Sequence, residues 1–205
     1  AVRTGATSET PRVLKVEDYC LEPAASSLRA VLPGKEPSWW GMLELPRGTQ
    51  CEVWRKAFEA AAAEARSALE SGTDVFLSFH ACWYHVHCRE YVSAVDFDVV
   101  RDVEPTCFIT LIDDIYDIGA RLSGPGQIYG GQDQKDLLVD RVFKLLAILQ
   151  WRASEISMTD RIAAHCERPH WLFATKHPMA SFAELLEASS PVVYLSHPIT
   201  HVRGL

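Results

Sequence analysis

Asp74-Val-Phe-Leu-Ser-Phe-His-Ala-Cys-Trp-Tyr-His-Val-His-Cys88 decides how this chain is read. Its apolar run, Val75 to Leu77, breaks off into Ser78, His80, His85 and His87. A short apolar run bounded by polar residues predicts a buried strand. Polar groups just past such a strand usually line a site, because open α/β sheets bind ligands beyond the carboxyl ends of their strands. Chemistry is therefore expected after Leu77, with Ser78 and His80 as candidate substrate-binding side chains.

Outward from that stretch the pattern recurs. Pro105 to Asp113 is a second apolar run ending in carboxylates, His170-Trp-Leu-Phe-Ala174 a third, and Pro191-Val-Val-Tyr-Leu195 a fourth. Arg12 to Val16 alternates polar and apolar and predicts a shorter strand. Thr49-Gln-Cys-Glu52 has the capping-box pattern and is expected to open a helix. Trp54, Phe58, Ala61, Ala65 and Leu69 follow at helical spacing until Gly72 stops them. A loop or broken helix is expected from the histidines to about residue 104.

Ile115 to Leu122 predicts a helix. The spacing of Leu138, Val142, Leu145, Leu149 and Ile156 predicts a long one from Lys135 to about Ala164. A second capping box, Ser181-Phe-Ala-Glu184, predicts a short helix to Ala188. The prolines and glycines of residues 21–48 predict irregular structure there, and Ser123-Gly-Pro-Gly126 with Gly130-Gly131 a flexible loop. Strands alternating with helices predict an α/β fold, a mostly parallel sheet with helices on both faces. Residues 1–190 read as one domain, and 191–205 as a strand and loop opening a second.

Composition narrows the function. A 205-residue chain that is 48% hydrophobic and 23% charged can bury a core. Its net charge of -7 argues against a general nucleic-acid binder, which carries a basic face. A phosphate pocket needs only a few local cations. No apolar run approaches the ~20 residues that span a bilayer, so no membrane partner and a cytoplasmic location are expected. The six cysteines form no C-x-x-C pair and are expected as reduced thiols. A homo-oligomer is compatible with this composition.

Four groups of side chains carry candidate chemistry. His80, His85 and His87, with Cys82 and Cys88 near, suggest a metal site, although the H-x4-H-x-H spacing matches no tight zinc pattern. Otherwise His80 hydrogen-bonds in a crevice and the other two sit in a loop. Asp113, Asp114 and Asp117 crowd a strand end. Such carboxylates hold Mg2+ through water or act as acid and base, with Asp113 the metal ligand. Equally, they form the acidic first turn of the next helix. Arg121 and Arg152 offer the two-pronged guanidinium that suits phosphate, or are plain exposed helix arginines. His177-Pro178 and His197-Pro198 each follow an apolar strand, and the proline keeps the histidine extended at its end. A Walker loop, a G-x-G-x-x-G and a G-x-S-x-G are all absent from the sequence; Gly34-Lys35-Glu36 lacks the upstream glycine and the hydroxyl.

Asp74 to His80, Pro105 to Leu122 and Trp151-Arg152 together resemble the later half of an adenylate-kinase-like P-loop nucleotide kinase. The resemblance implies a three-layer sandwich, ATP with Mg2+, and phosphoryl transfer or hydrolysis on a nucleotide or nucleoside. It places His80 at the substrate, Arg121 on a lid around residues 123–134, and Arg152 on the helix beyond it. Asp113 or Asp114 would orient metal-bound water. Ser78 stands where that family usually has an acidic residue. The family's phosphate loop precedes its second strand, around which this chain opens. The loop is thus expected ahead of Ala1, or the chain is a kinase-like shell. Val193-Tyr-Leu-Ser-His-Pro-Ile-Thr200 is similar to the opening strand of nucleoside 2-deoxyribosyltransferase-like domains, with His197 in place of the usual glycine. That implies, as an alternative, an N-glycosidic-bond enzyme. A histidine-based metal hydrolase is the third reading.

Overall fold

Four consecutive alanines, Ala60 to Ala63, lie in a segment with every reason to be helical: alanine is the best helix former, and aromatic side chains recur on one side. The computed structural model describes residues 10–21, 29, 41–42, 45–85, 90–124 and 138–187. In it helix α1 runs Arg47–Glu70 and buries Val53, Trp54, Ala57, Phe58, Ala61, Ala62, Ala65 and Ala68. Two details correct the sequence reading. The helix opens at Pro46, whose φ of -53° already suits a helix start, with no side-chain cap. Thr49 therefore lies inside the first turn rather than capping it. Ala68, not Leu69, takes the last inward place, and Leu69 is exposed. Gly72 does end the helix. It adopts φ +87°, and Thr73 N–H reaches back to the Ala68 carbonyl at 3.0 Å while Gly72 N–H meets Leu69 at 2.9 Å. This is a Schellman closure, which needs the left-handed residue that glycine supplies.

Helix α1 connects two parallel strands, β1 (Arg12–Lys15) and β2 (Val75–Ser78), in register from Arg12 opposite Val75 to Lys15 opposite Ser78. Leu14 is buried on the α1 side, whereas Val13 and Phe76 share the other face and are exposed. A second parallel pair follows: β5 (Phe108–Ile112) and β6 (His170–Ala174), joined through α3 (Ile115–Leu122) and α4 (Leu138–His165). Between the pairs lie an antiparallel hairpin, β3 (Trp83–His85) with β4 (Glu90–Val92), and a short helix, α2 (Phe97–Arg101). The hairpin replaces the loop expected to residue 104. Helix α5 (Met179–Glu187) ends the described chain. It starts two residues before Ser181, so the second capping box does not open it either.

The architecture is mixed α/β with two parallel ladders and one antiparallel ladder, each of two strands. Among the described residues no ladder hydrogen bonds join one pair to another. Pro191 to Leu195, and the whole of 191–205, lie outside the described residues. One core nevertheless runs through the molecule. Leu14, the α1 face, Trp83, Val92 and Val100 continue into Phe108 of β5 and Ile162 and Ala163 of α4. Helix α4 turns Ile148, Thr159, Ile162 and Ala163 inward, and leaves Val142, Phe143, Leu146 and Leu149 exposed. The apolar spacing found the helix but misplaced its inner face. Cys20, Cys51, Cys82, Cys107 and Cys166 are free thiols. No described helix is long and apolar enough to cross a membrane.

Candidate functional site

Parallel strands β5 and β6 finish together, so the residues after Ile112 and Ala174 share a rim. Asp113 is its centre. One carboxylate oxygen meets the Arg121 guanidinium at 2.7 Å, and the other accepts the Asp114 amide at 2.8 Å. The Arg121 hydrogen bond, that amide and the Thr175 side chain hold its pKa down at about 2. Lys176 reaches Asp117 at 2.8 Å across the same rim. Arg121 thus sits at the end of α3 and folds back over the strand end.

Asp114 resolves differently from its neighbour. It is the N-cap of α3, accepting the amides of Tyr116 at 2.8 Å and Asp117 at 3.4 Å. The first-turn reading is the one the geometry takes, because a helix start leaves amides that a side-chain oxygen satisfies. Urea unfolding of Asp114→Ala is expected to show a loss of about 1 kcal/mol. Both Asp113 oxygens thus have protein partners, while Asp114 caps the helix.

Helix α4 brings three more side chains to the strand ends. Arg152 is partly buried and points Nη1 at the Asp113 carbonyl, 3.5 Å away. Among the described residues no carboxylate pairs with it. Glu155, one turn on, holds the loop after β2: it accepts the Ala81 amide at 2.8 Å, the Cys82 amide at 3.3 Å, and faces His80 Nδ1 at 3.0 Å. Trp151 donates its indole N–H to the Cys82 carbonyl at 3.1 Å. His80 also has Glu17 at 3.8 Å from Nε2. Desolvation works against its charged form, but the Glu155 hydrogen bond and charge, then Glu17, outweigh it and raise the pKa above 6.5.

No protein-family model matches this sequence, and no curated protein is significantly similar to it.

The roles therefore stand on geometry. Arg121, Arg152 and Asp113 come together, and His80 joins them through α4. Ser78 ends β2, exposed, opposite Lys15. His177 is exposed in the turn after β6, its amide donating to Ala174 at 2.9 Å and its ring 5.8 Å from that of Phe173. His197 and His87 lie outside the described residues, as does the stretch 193–200 and all but the first two residues of the expected lid. His85 is buried in β3 opposite Glu90. Among the described residues no group of three or more His, Cys, Asp and Glu is placed to hold a metal ion.

Sequence reasoning missed Glu155, Lys176 and Thr175. Glu155 lies three residues beyond Arg152, the spacing that puts two helix residues on one face. Lys176 and Thr175 follow β6 directly, the position already used to select Asp113. Two shallow clefts lie elsewhere: one of about 450 Å³ lined by Cys51, Arg55 and Asp96, another of about 460 Å³ lined by Arg101, Glu104 and Arg168.

Proposed function

We propose that this chain binds the phosphate groups of a nucleotide at the rim of β5 and β6, within an α/β shell of the nucleotide-kinase kind. Arg152 carries the reading: a partly buried guanidinium at a parallel strand end, aimed at a carbonyl and met by no carboxylate among the described residues. A desolvated cation without an anionic partner is costly, and a phosphate oxygen offers the paired hydrogen bonds that relieve it. Arg121 and Lys176 stand beside it, already paired with Asp113 and Asp117, and can exchange those carboxylates for phosphate.

Phosphoryl transfer rests on positioning and charge neutralisation more than on covalent help. Arginines at one rim suit either the transfer or the hydrolysis of a nucleotide phosphoryl group. Mg2+ would arrive with ATP, bound chiefly by phosphate oxygens and water, as is usual for this small hard cation. In a complete three-layer sandwich the exposed Val13–Phe76 face would be covered, because parallel sheets are normally buried on both sides. Calorimetric titration of the protein with ATP and ADP tests the binding. Saturable uptake that weakens with added salt is expected; an absence of heat and of any competing signal at millimolar nucleotide would overturn it.

A further inference from the structure

A single turn of α4 touches both parallel strand pairs. Trp151 and Glu155 hold the loop after β2, and Arg152 reaches the end of β5. Three helical residues advance only about 4.5 Å, so the two strand ends meet α4 within that distance along its axis. Strands β2 and β5 share no ladder hydrogen bonds. Among the described residues, the apolar core and this turn of α4 connect them.

We propose that Glu155 is a positioning residue, which orients the His80 ring and keeps the loop after β2 in register with Arg152, so that His80 meets the ligand from the β2 side. The proposal rests on the nucleotide reading and deepens it.

The carboxylate divides its work. One oxygen faces His80 Nδ1 at 3.0 Å, and the other takes the Ala81 and Cys82 amides. An acceptor at Nδ1 places a proton there and fixes the ring's orientation. The other nitrogen is Nε2, which lies toward Glu17. Glu17 approaches it only to 3.8 Å, close enough to favour charge and too far for a hydrogen bond. The ring is half-exposed, 55% for its side chain, whereas Glu17 and Glu155 are 23% and 17% exposed. A ligand can thus approach the ring while the carboxylates stay fixed.

The titratable groups near His80 along the chain or in space lie on three segments. Glu17 belongs to the helical turn after β1 and Glu155 to α4. Cys82 belongs to the ring's own loop. Burial, and then Glu155, push the Cys82 thiol up to about 12; burial and Glu17 do the same for Cys20. Both thiols therefore stay neutral, and His80 is the titrating group at neutral pH. The Trp151 ring lies 6.0 Å from the imidazole and walls its other side.

The sign of the pH dependence follows. The folded pKa of His80 lies above 6.5, so its contacts are fully present below 6.5 and are lost as pH rises through the raised value. Anionic ligands are expected to bind more tightly below that transition than above it.

The test uses the full chain, with ATP as the probe and His80 assigned in NMR spectra by the loss of its signal in His80→Asn. In Glu155→Gln the His80 titration midpoint should fall. ATP affinity near pH 7 should drop about threefold to tenfold, in the range of one weakened charge-assisted contact. The pH at which affinity declines should move down with the midpoint, and Glu155→Asp should fall between. A midpoint that moves while the pH profile of ATP binding stays fixed would overturn the proposal; so would a midpoint unmoved in Glu155→Gln. Should Glu155→Gln not fold, Glu155→Asp carries the same comparison. Wild-type protein that takes up no ATP at any pH ends the nucleotide reading, and with it the role at the ligand; the His80 midpoints then still decide whether Glu155 sets the ring.

Discussion

Arg152→Ala is expected to weaken ATP binding at least tenfold, about 1.4 kcal/mol or more, with little change in thermal stability. The large effect on binding follows from the place of this guanidinium. It is partly buried at the rim, and among the described residues its side-chain hydrogen bond is to a carbonyl at the edge of hydrogen-bond range. Removing it costs the fold a weak contact and relieves a poorly compensated charge, and these effects oppose each other. The ligand, by contrast, loses a charged two-pronged donor where water is partly excluded. Arg121→Ala is the instructive comparison. That arginine is 62% exposed and already paired with Asp113, so its loss should cost less in binding. Equal affinity of wild type and Arg152→Ala in calorimetry at low salt would contradict this assignment.

Trp54→Ala is expected to destabilise the fold by about 3–5 kcal/mol, measured by urea unfolding. Trp54 is 2% exposed, and its ring centroid lies 5.0 Å from that of Trp83. Truncation would open a cavity in the core, between α1 and the β3–β4 hairpin. The neighbouring polar groups cannot collapse into it freely. Trp83 donates its indole N–H to Gln50 Oε1 at 2.7 Å, and Gln50 Nε2 donates to the Met42 carbonyl at 3.2 Å. That buried chain is satisfied only where it stands. For a domain whose whole stability is about 5–15 kcal/mol, the loss is a large fraction. Leu69→Ala, on the exposed side of the same helix, should stay within about 0.5 kcal/mol. A loss below about 1 kcal/mol for Trp54→Ala would mean that α1 does not pack on the hairpin as described.

The long elements were legible because each rests on one strong local rule. Apolar runs ending in polar residues gave β2, β5 and β6, and the direction of each pair agreed with the βαβ rule. Gly72 was legible as a helix stop because a left-handed closure needs it. The capping boxes misled at both helices. Thr49 and Ser181 have the right spacing, but the proline at 46 and the turn at Pro178 had already started each helix. The inner face of α4 was not legible either. Leucines and valines mark a helix wherever they point, and only its neighbours decide that Ile148 and Ile162 go in while Leu146 and Phe143 stay out. The β3–β4 hairpin was not legible because its strands are three residues each, too short for an alternating pattern to show.

The site divides in the same way. Asp113 was found by its place at a strand end, Arg121 by its place before the glycine loop and Arg152 by its place in the long helix, and the three come together at the rim. Glu155 was invisible because its partners, Ala81, Cys82 and His80, lie more than seventy residues away along the chain. No local pattern encodes a carboxylate that caps a distant loop. Asp114 shows the converse: a carboxylate beside a candidate site that caps the next helix.

Phosphate is expected to meet Arg152 at the β5–β6 rim. NMR titration of labelled protein with ATP and Mg2+ tests this directly. Saturable shifts are expected at the amides of Asp113, Asp114, Thr175 and Lys176, and at the Arg152 side chain. Shifts confined to other surfaces, or none at those positions while ATP binds, would contradict it.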